Sequence, residues 1–213
     1  MSQTRIFSGA SPRQVAADLA PLVDFQEDGL SLEALDGMLE ERLVPHLLNY
    51  ELPQFQSMYN AYPEDGAALG GRFALTHNPG VTNWQISPGA ATLEEICGRS
   101  LCRLFDLAST ADATFTLAGT YANLHALYMA LHRKAEREGF NLAEKGLLGF
   151  ESPSRLAVVC SHDAHFSLKH ALRTMGLGDG CLVTVDVDQN RRMDVSHLHQ
   201  TMAAFASTKD IFC

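Results

Sequence analysis

Thr114-Phe115-Thr116-Leu117-Ala118-Gly119-Thr120-Tyr121-Ala122-Asn123 reads as a short apolar run, a turn of small residues and the start of a helix. Further along, Val158-Val159-Cys160-Ser161-His162-Asp163-Ala164-His165-Phe166-Ser167 reads as a buried strand with two imidazoles just past its end. A small-residue turn that opens a helix leaves backbone N–H groups free at the helix's positive end, a place where phosphate binds. The two stretches together point to a phosphorylated cofactor held at a helix N-terminus with a histidine ring nearby.

Outward from these stretches the elements alternate. The pattern predicts a strand at 113–117, a helix over 120–137, a strand at Leu156–Cys160, a helix over 165–175 and a strand at Cys181–Val187. A helix over 194–206 and the start of another strand at Ile211 follow. Strands alternating with helices predict an α/β chain with a mostly parallel sheet and crossover helices. Lys134–Arg155 is charged and Gly-bearing, and reads as a helix extension and a surface loop.

Upstream, Val15, Leu19 and Leu22, then Leu32, Leu35, Leu39, Leu43 and Leu47, recur at helical spacing, so two amphipathic helices are expected within 12–49. Between Pro53 and Pro88 the Tyr-Pro, Asp-Gly, Gly-Gly, Asn-Pro-Gly and Ser-Pro-Gly pairs predict a long loop-rich connection. Thr92 with Glu95 has capping-box spacing and predicts a helix of about four turns starting there. A strand beginning at Asp210-Ile211-Phe212-Cys213 would leave a sheet edge uncovered, so the chain is expected to be the first part of a longer polypeptide.

Composition narrows the classes of function. A net charge of −9, from 25 acidic and 16 basic residues, disfavours nonspecific binding to nucleic acid or to an anionic membrane. The five cysteines lack CxxC spacing and read as reduced thiols. No run reaches the roughly 18 apolar residues that span a bilayer, and the first residues lack a charged segment followed by an apolar core. A cytoplasmic protein is expected.

Ala118-Gly119-Thr120 could bind phosphate through backbone amides and the Thr120 hydroxyl, although such a tripeptide also serves as an ordinary strand-to-helix turn. It lacks the GxGxxG and GxxxxGK[ST] patterns of dinucleotide and P-loop sites. His165, placed at the carboxyl edge of the sheet, could stack on a flat heteroaromatic ring, donate a hydrogen bond or move a proton. It could equally cap a helix. His162, Asp163, His165 and His170 could be read as metal ligands, but on a helix His165 and His170 point to different faces, and no metal site is expected. His197 and His199 read as surface groups, and Asp186 and Asp188 as turn chemistry.

These stretches resemble the group II pyridoxal-phosphate-dependent amino acid decarboxylases. Ser87-Pro88-Gly89-Ala90-Ala91-Thr92-Leu93-Glu94 is similar to the family's S-P-A-x-T-E-L-E, departing at Ala91 and Thr92. Thr116–Asn123 is similar to its T-S-G-G-T-E-A-N, departing at Leu117, Ala118 and Tyr121. Ser161–Ser167 is similar to its S-x-x-A-H-x-S, and Met175-Gly176-Leu177-Gly178 and Arg192-Met193-Asp194 resemble its G-L-G and G-R-M-D stretches.

The resemblance implies the type I aminotransferase-like fold. It also implies pyridoxal 5′-phosphate as cofactor, a small L-amino acid as substrate, and a homodimer. Ala118, Gly119 and Thr120 would hold the phosphate, and His165 would stack on the pyridine ring. Residues 1–90 would form an N-terminal helical arm and loop-rich segment, and 91–213 the first part of the large cofactor-binding domain. The family's Schiff-base lysine and the aspartate that pairs with the pyridine nitrogen are expected beyond Cys213, so this chain alone would be inactive. Other implied possibilities are a noncatalytic remnant or scaffold subunit, or a pyridoxal-phosphate lyase or aldolase of the same fold.

Overall fold

A computed structural model describes residues 5–23, 29–56 and 62–213. The chain divides into two compact units, Met1–Ser87 and Pro88–Cys213. In the first, α1 (Pro12–Leu19) starts on a capping box, with the Ser11 amide donating to Gln14 Oε1 at 2.9 Å and Pro12 at the first helical position. α2 (Leu32–Met38) starts on the Ser31 hydroxyl, which accepts from the Ala34 amide. Both α segments are shorter than the leucine spacing predicts. Around Pro21, which has no amide to donate, α1 runs on as a 3-10 turn, Ala20–Val23, while α2 widens into a π turn, Leu39–Leu43, before a 3-10 turn at Val44–His46 around Pro45. His46 ties the unit together, with Nδ1 2.7 Å from Ser8 Oγ and Nε2 3.1 Å from Asp18 Oδ2.

α3 (Asp65–His77) corrects the expected loop between Pro53 and Pro88. Asp-Gly and Gly-Gly read as turn signals, but each internal glycine costs a helix only about 1 kcal/mol. A left-handed Asn78, with φ of 42°, closes α3 by donating its amide to the Ala74 carbonyl at 2.8 Å.

The second unit opens with α4 (Pro88–Leu104), which begins at Pro88 and not at Thr92. Proline at the first helical position loses no helical bond, so Ser-Pro-Gly starts this helix instead of marking a turn, and Thr92 lies inside it. The expected strand at 113–117 is absent: the segment has no regular secondary structure and is largely exposed, and no strand among the described residues pairs with it. Apolar alternation favours a strand only where a ladder partner exists. α5 (Gly119–Arg137) and α6 (Leu142–Lys145) follow, then β1 (Leu156–Ser161), α7 (Ser167–Thr174), β2 (Leu182–Val185), α8 (Val195–Phe205) and β3 (Asp210–Ile211).

The sheet is parallel with order β2-β1-β3, so β1 is central. Its register sets Val158 beside Leu182 and Leu156 beside Asp210, and the Phe212 amide donates to the Ala157 carbonyl at 3.0 Å. Leu156 and Val158, two residues apart, share one face of β1. Val158 packs with Leu127 of α5 and with Ala171 and Leu172 of α7, while Leu156 packs with Leu131, Ala135, Leu142 and Phe150. All five cysteines are free, and no helix among the described residues is long and apolar enough to cross a membrane. The chain leaves β1 toward β2 and returns on its other side as β3. The carboxyl end of β1 is therefore where the strand order reverses, the position at which open α/β sheets hold ligands.

Candidate functional site

The segment Ser161–Phe166 carries the chain from that end of β1 into α7. The start of α5 lies on the neighbouring helix, packed along α7. Ala118 occupies the N-cap of α5 in an extended conformation, φ −155° and ψ 158°, and contributes no side-chain cap. Its carbonyl accepts the Tyr121 and Ala122 amides, at 2.9 and 3.1 Å, and the Thr116 hydroxyl at 3.1 Å. The amides of Gly119 and Thr120 have no acceptor among the described residues. No acidic side chain occupies the first turn, while Lys134 and Arg137 sit in the last. This 19-residue helix therefore keeps its positive end uncompensated and its negative end matched.

A Cβ built on Gly119 would meet nothing within 4 Å, so the helix start is open on that side. Two free amides, a hydroxyl and a helix dipole form a donor set that suits a phosphate monoester.

His165 is exposed, and its ring lies 4.1 Å from that of Phe166 with a 36° tilt. One edge is tethered. His165 Nδ1 lies 2.8 Å from the hydroxyl of Ser167, which is fully buried, and accepts the Ser167 amide at 3.2 Å. Asn123 Nδ2, in the second turn of α5, donates to the same hydroxyl at 2.7 Å. Asn123 and Ser167 both belong to the quoted stretches, yet sequence reasoning gave them no role. Their 44-residue separation carries no local signal.

The remaining histidines take no part in this hydrogen-bonded chain. His162 turns toward Asp163, which Arg191 contacts at 2.9 Å. The His162 hydrogen bond and then the Arg191 guanidinium hold the Asp163 carboxyl below the usual carboxylate range. His197 is partly exposed, and it accepts the Asp186 amide at 3.1 Å, which clasps the start of α8 to the end of β2. No three His, Cys, Asp or Glu side chains converge on a common point among the described residues.

Beside His165 opens a cavity of about 260 Å³ lined by residues including Cys160, His162, Phe166, Lys169 and Thr184. Burial pushes the Cys160 thiol up, against the opposing charge of Lys169. Ala118, Gly119 and Thr120 do not line this cavity. The expected phosphate turn and the expected ring platform are thus joined through Asn123 and Ser167.

The family model described as the pyridoxal-dependent decarboxylase conserved domain matches residues 13–212. An L-2,4-diaminobutyrate decarboxylase of Acinetobacter baumannii is 30% identical over 132 residues, 59% of this chain and 26% of that protein. An aspartate 1-decarboxylase of Aliivibrio fischeri is 33% identical over 102 residues, 46% of this chain and 18% of that protein.

Among solved structures, the glutamate decarboxylase domain of diaminobutyrate-pyruvate transaminase and L-2,4-diaminobutyrate decarboxylase from Vibrio parahaemolyticus superposes with a TM-score of 0.88. It covers 97% of this chain at 24% identity, a likeness of fold. The chain spans 44% of that solved chain and 26% of the Acinetobacter relative.

Proposed function

The chain belongs to the pyridoxal-dependent decarboxylase family, and from that premise we propose that it supplies the phosphate-holding and ring-stacking part of a site that decarboxylates a small L-amino acid. In the overall reaction the bond from Cα to the carboxylate breaks, carbon dioxide leaves and a proton takes its place on Cα. Pyridoxal phosphate, when bound, supplies a conjugated ring that accepts the electron pair left on Cα.

This chain's own residues bind and orient. The Gly119 and Thr120 amides and the Thr120 hydroxyl hold the phosphate at the N-terminus of α5, with Ala118 small enough to let it approach. His165 offers its exposed ring face to the pyridine. The Schiff-base lysine and the acidic partner of the pyridine nitrogen are not among the residues that match the family's motifs, so the share assigned here is binding and orientation. The same reading extends to a cytoplasmic homodimer, with residues 1–90 as an arm and 91–213 as the first part of the large cofactor-binding domain.

One observation carries this reading: the uncapped start of α5 is tied to the His165 turn by the 2.7 Å bond from Asn123 to Ser167. Calorimetric titration with 4′-deoxypyridoxine 5′-phosphate tests it, because that analogue has no aldehyde to react with surface lysines. It is expected to bind more tightly than 4′-deoxypyridoxine, which has no phosphate. Gly119→Val places its Cβ in open space at the start of α5. It should leave the melting temperature nearly unchanged and weaken the phosphorylated analogue about 10-fold or more, the equivalent of one charged hydrogen bond. Equal binding of the two analogues, or no effect of Gly119→Val, would refute the assignment.

A further inference from the structure

The hydrogen bonds around His165 have a definite polarity, and one of them sets it. A backbone N–H can only donate, and the Ser167 amide points at His165 Nδ1 at 3.2 Å. In the neutral ring Nδ1 is therefore the bare acceptor, and the ring proton sits on Nε2. The Ser167 hydroxyl, 2.8 Å from the same nitrogen, then has to direct its own proton there as well. Its lone pairs are left to accept, and Asn123 Nδ2 fills that role at 2.7 Å. The order is consistent from end to end: amide nitrogen of Asn123 to hydroxyl of Ser167 to Nδ1 of His165. The opposite order would need a proton on Nδ1 facing the Ser167 N–H.

We propose that Asn123 and Ser167 are positioning residues that fix His165 as the Nε2–H tautomer and hold its ring by the Nδ1 edge, so that it meets a bound ring as a flat platform with a single free donor. The proposal rests on the reading of His165 as the ring that stacks on the cofactor. Ser167 is fully buried at the first position of α7, which makes it a rigid anchor. Asn123 links that anchor to the helix whose first turn carries the proposed phosphate donors, so both halves of the site share one mechanical reference. A histidine held in this way acts through its face and through Nε2–H, and its Nδ1 is unavailable for taking a proton from substrate.

Two-bond 1H–15N correlation spectra of the 213-residue chain, labelled in its nine histidines, read the tautomer without any cofactor. The His165 signals are identified by their loss in His165→Gln. The expected wild-type pattern is Nε2 protonated and Nδ1 bare. Asn123→Asp replaces the donor with an acceptor of nearly the same shape. The Ser167 proton should then turn toward the new carboxylate, and the ratio of Nε2–H to Nδ1–H should fall about 2- to 10-fold, the equilibrium worth of one net hydrogen bond. Asn123→Leu removes the donor without offering an acceptor, frees the Ser167 hydroxyl to rotate, and should lower the same ratio by less than Asn123→Asp does.

A wild-type Nδ1–H pattern, or equal spectra for Asn123→Asp and Asn123→Leu, overturns the proposal. The wild-type spectrum alone suffices should either variant misfold. Titration of the same samples with 4′-deoxypyridoxine 5′-phosphate separates this inference from the one beneath it. The expected tautomer without binding of the analogue supports the relay and refutes the proposed function. Binding of the analogue by a chain whose His165 is Nδ1–H overturns the relay and leaves the proposed function standing.

Discussion

Arg155 and Asp210 meet at two points, Nε donating to Oδ2 at 3.0 Å and Nη2 to Oδ1 at 3.4 Å, across the start of β1 and β3. The register places Leu156, the residue after Arg155, beside Asp210. A strand as short as β3 (Asp210–Ile211) has few ladder bonds to specify its alignment, so this forked pair supplements them.

Asp210→Asn should therefore loosen β3 more than it lowers global stability. Both side chains are more than a third exposed, so the expected global loss is about 0.2–1 kcal/mol. Amide exchange at Phe212, which donates to the Ala157 carbonyl, should accelerate ahead of exchange in the β1–β2 ladder. Uniform acceleration across the sheet would contradict this role.

Leu172 is fully buried between α7, α5 and the central strand, in one cluster with Leu127 and Val158. Leu172→Ala leaves a cavity that its neighbours fill only in part. The expected cost is about 2–5 kcal/mol, measured by urea unfolding. Because α7 carries Ser167 as well, the same variant should also broaden the His165 resonances.

Arg173 Nε donates to Asp179 Oδ1 at 2.7 Å, and its guanidinium contacts Oδ2 as well, bracing the turn between α7 and β2. The hydrogen bond from Arg173, followed by its charge, holds the Asp179 carboxyl below the usual carboxylate range. A carboxyl with a lower folded than unfolded pKa contributes stability above its unfolded value and loses it as pH falls through the folded value. Stability measured by urea midpoint from pH 6 downward should then fall less steeply below the usual carboxylate range in Asp179→Asn than in the wild-type chain. Superimposable acid limbs would show that the pair does not act in the folded state.

Much of the second unit was legible in the order of residues. A small-residue turn before Tyr121 marks the start of α5. The apolar run Leu156–Cys160 marks β1, and helical spacing marks α7 and α8, because these depend on local backbone and burial patterns. The family followed from short motifs in sequence order, and the match over 13–212 agrees with it. The glycine-bearing α3 was hidden because its Asp-Gly and Gly-Gly pairs read as turn signals, although a helix tolerates each glycine at a cost of about 1 kcal/mol. The apolar run at 113–117 could not declare itself a strand, since strand formation requires a partner that a one-dimensional pattern does not contain.

The sequence by itself determined the alternating parallel architecture, the family, and which turn and which histidine are candidates. Only the tertiary structure decided that Asn123 meets Ser167 and that Ser167 holds His165 by Nδ1. Those contacts arise from the packing of α5 along α7 over the central strand, and the polarity of a hydrogen bond is fixed by which groups are brought together in space.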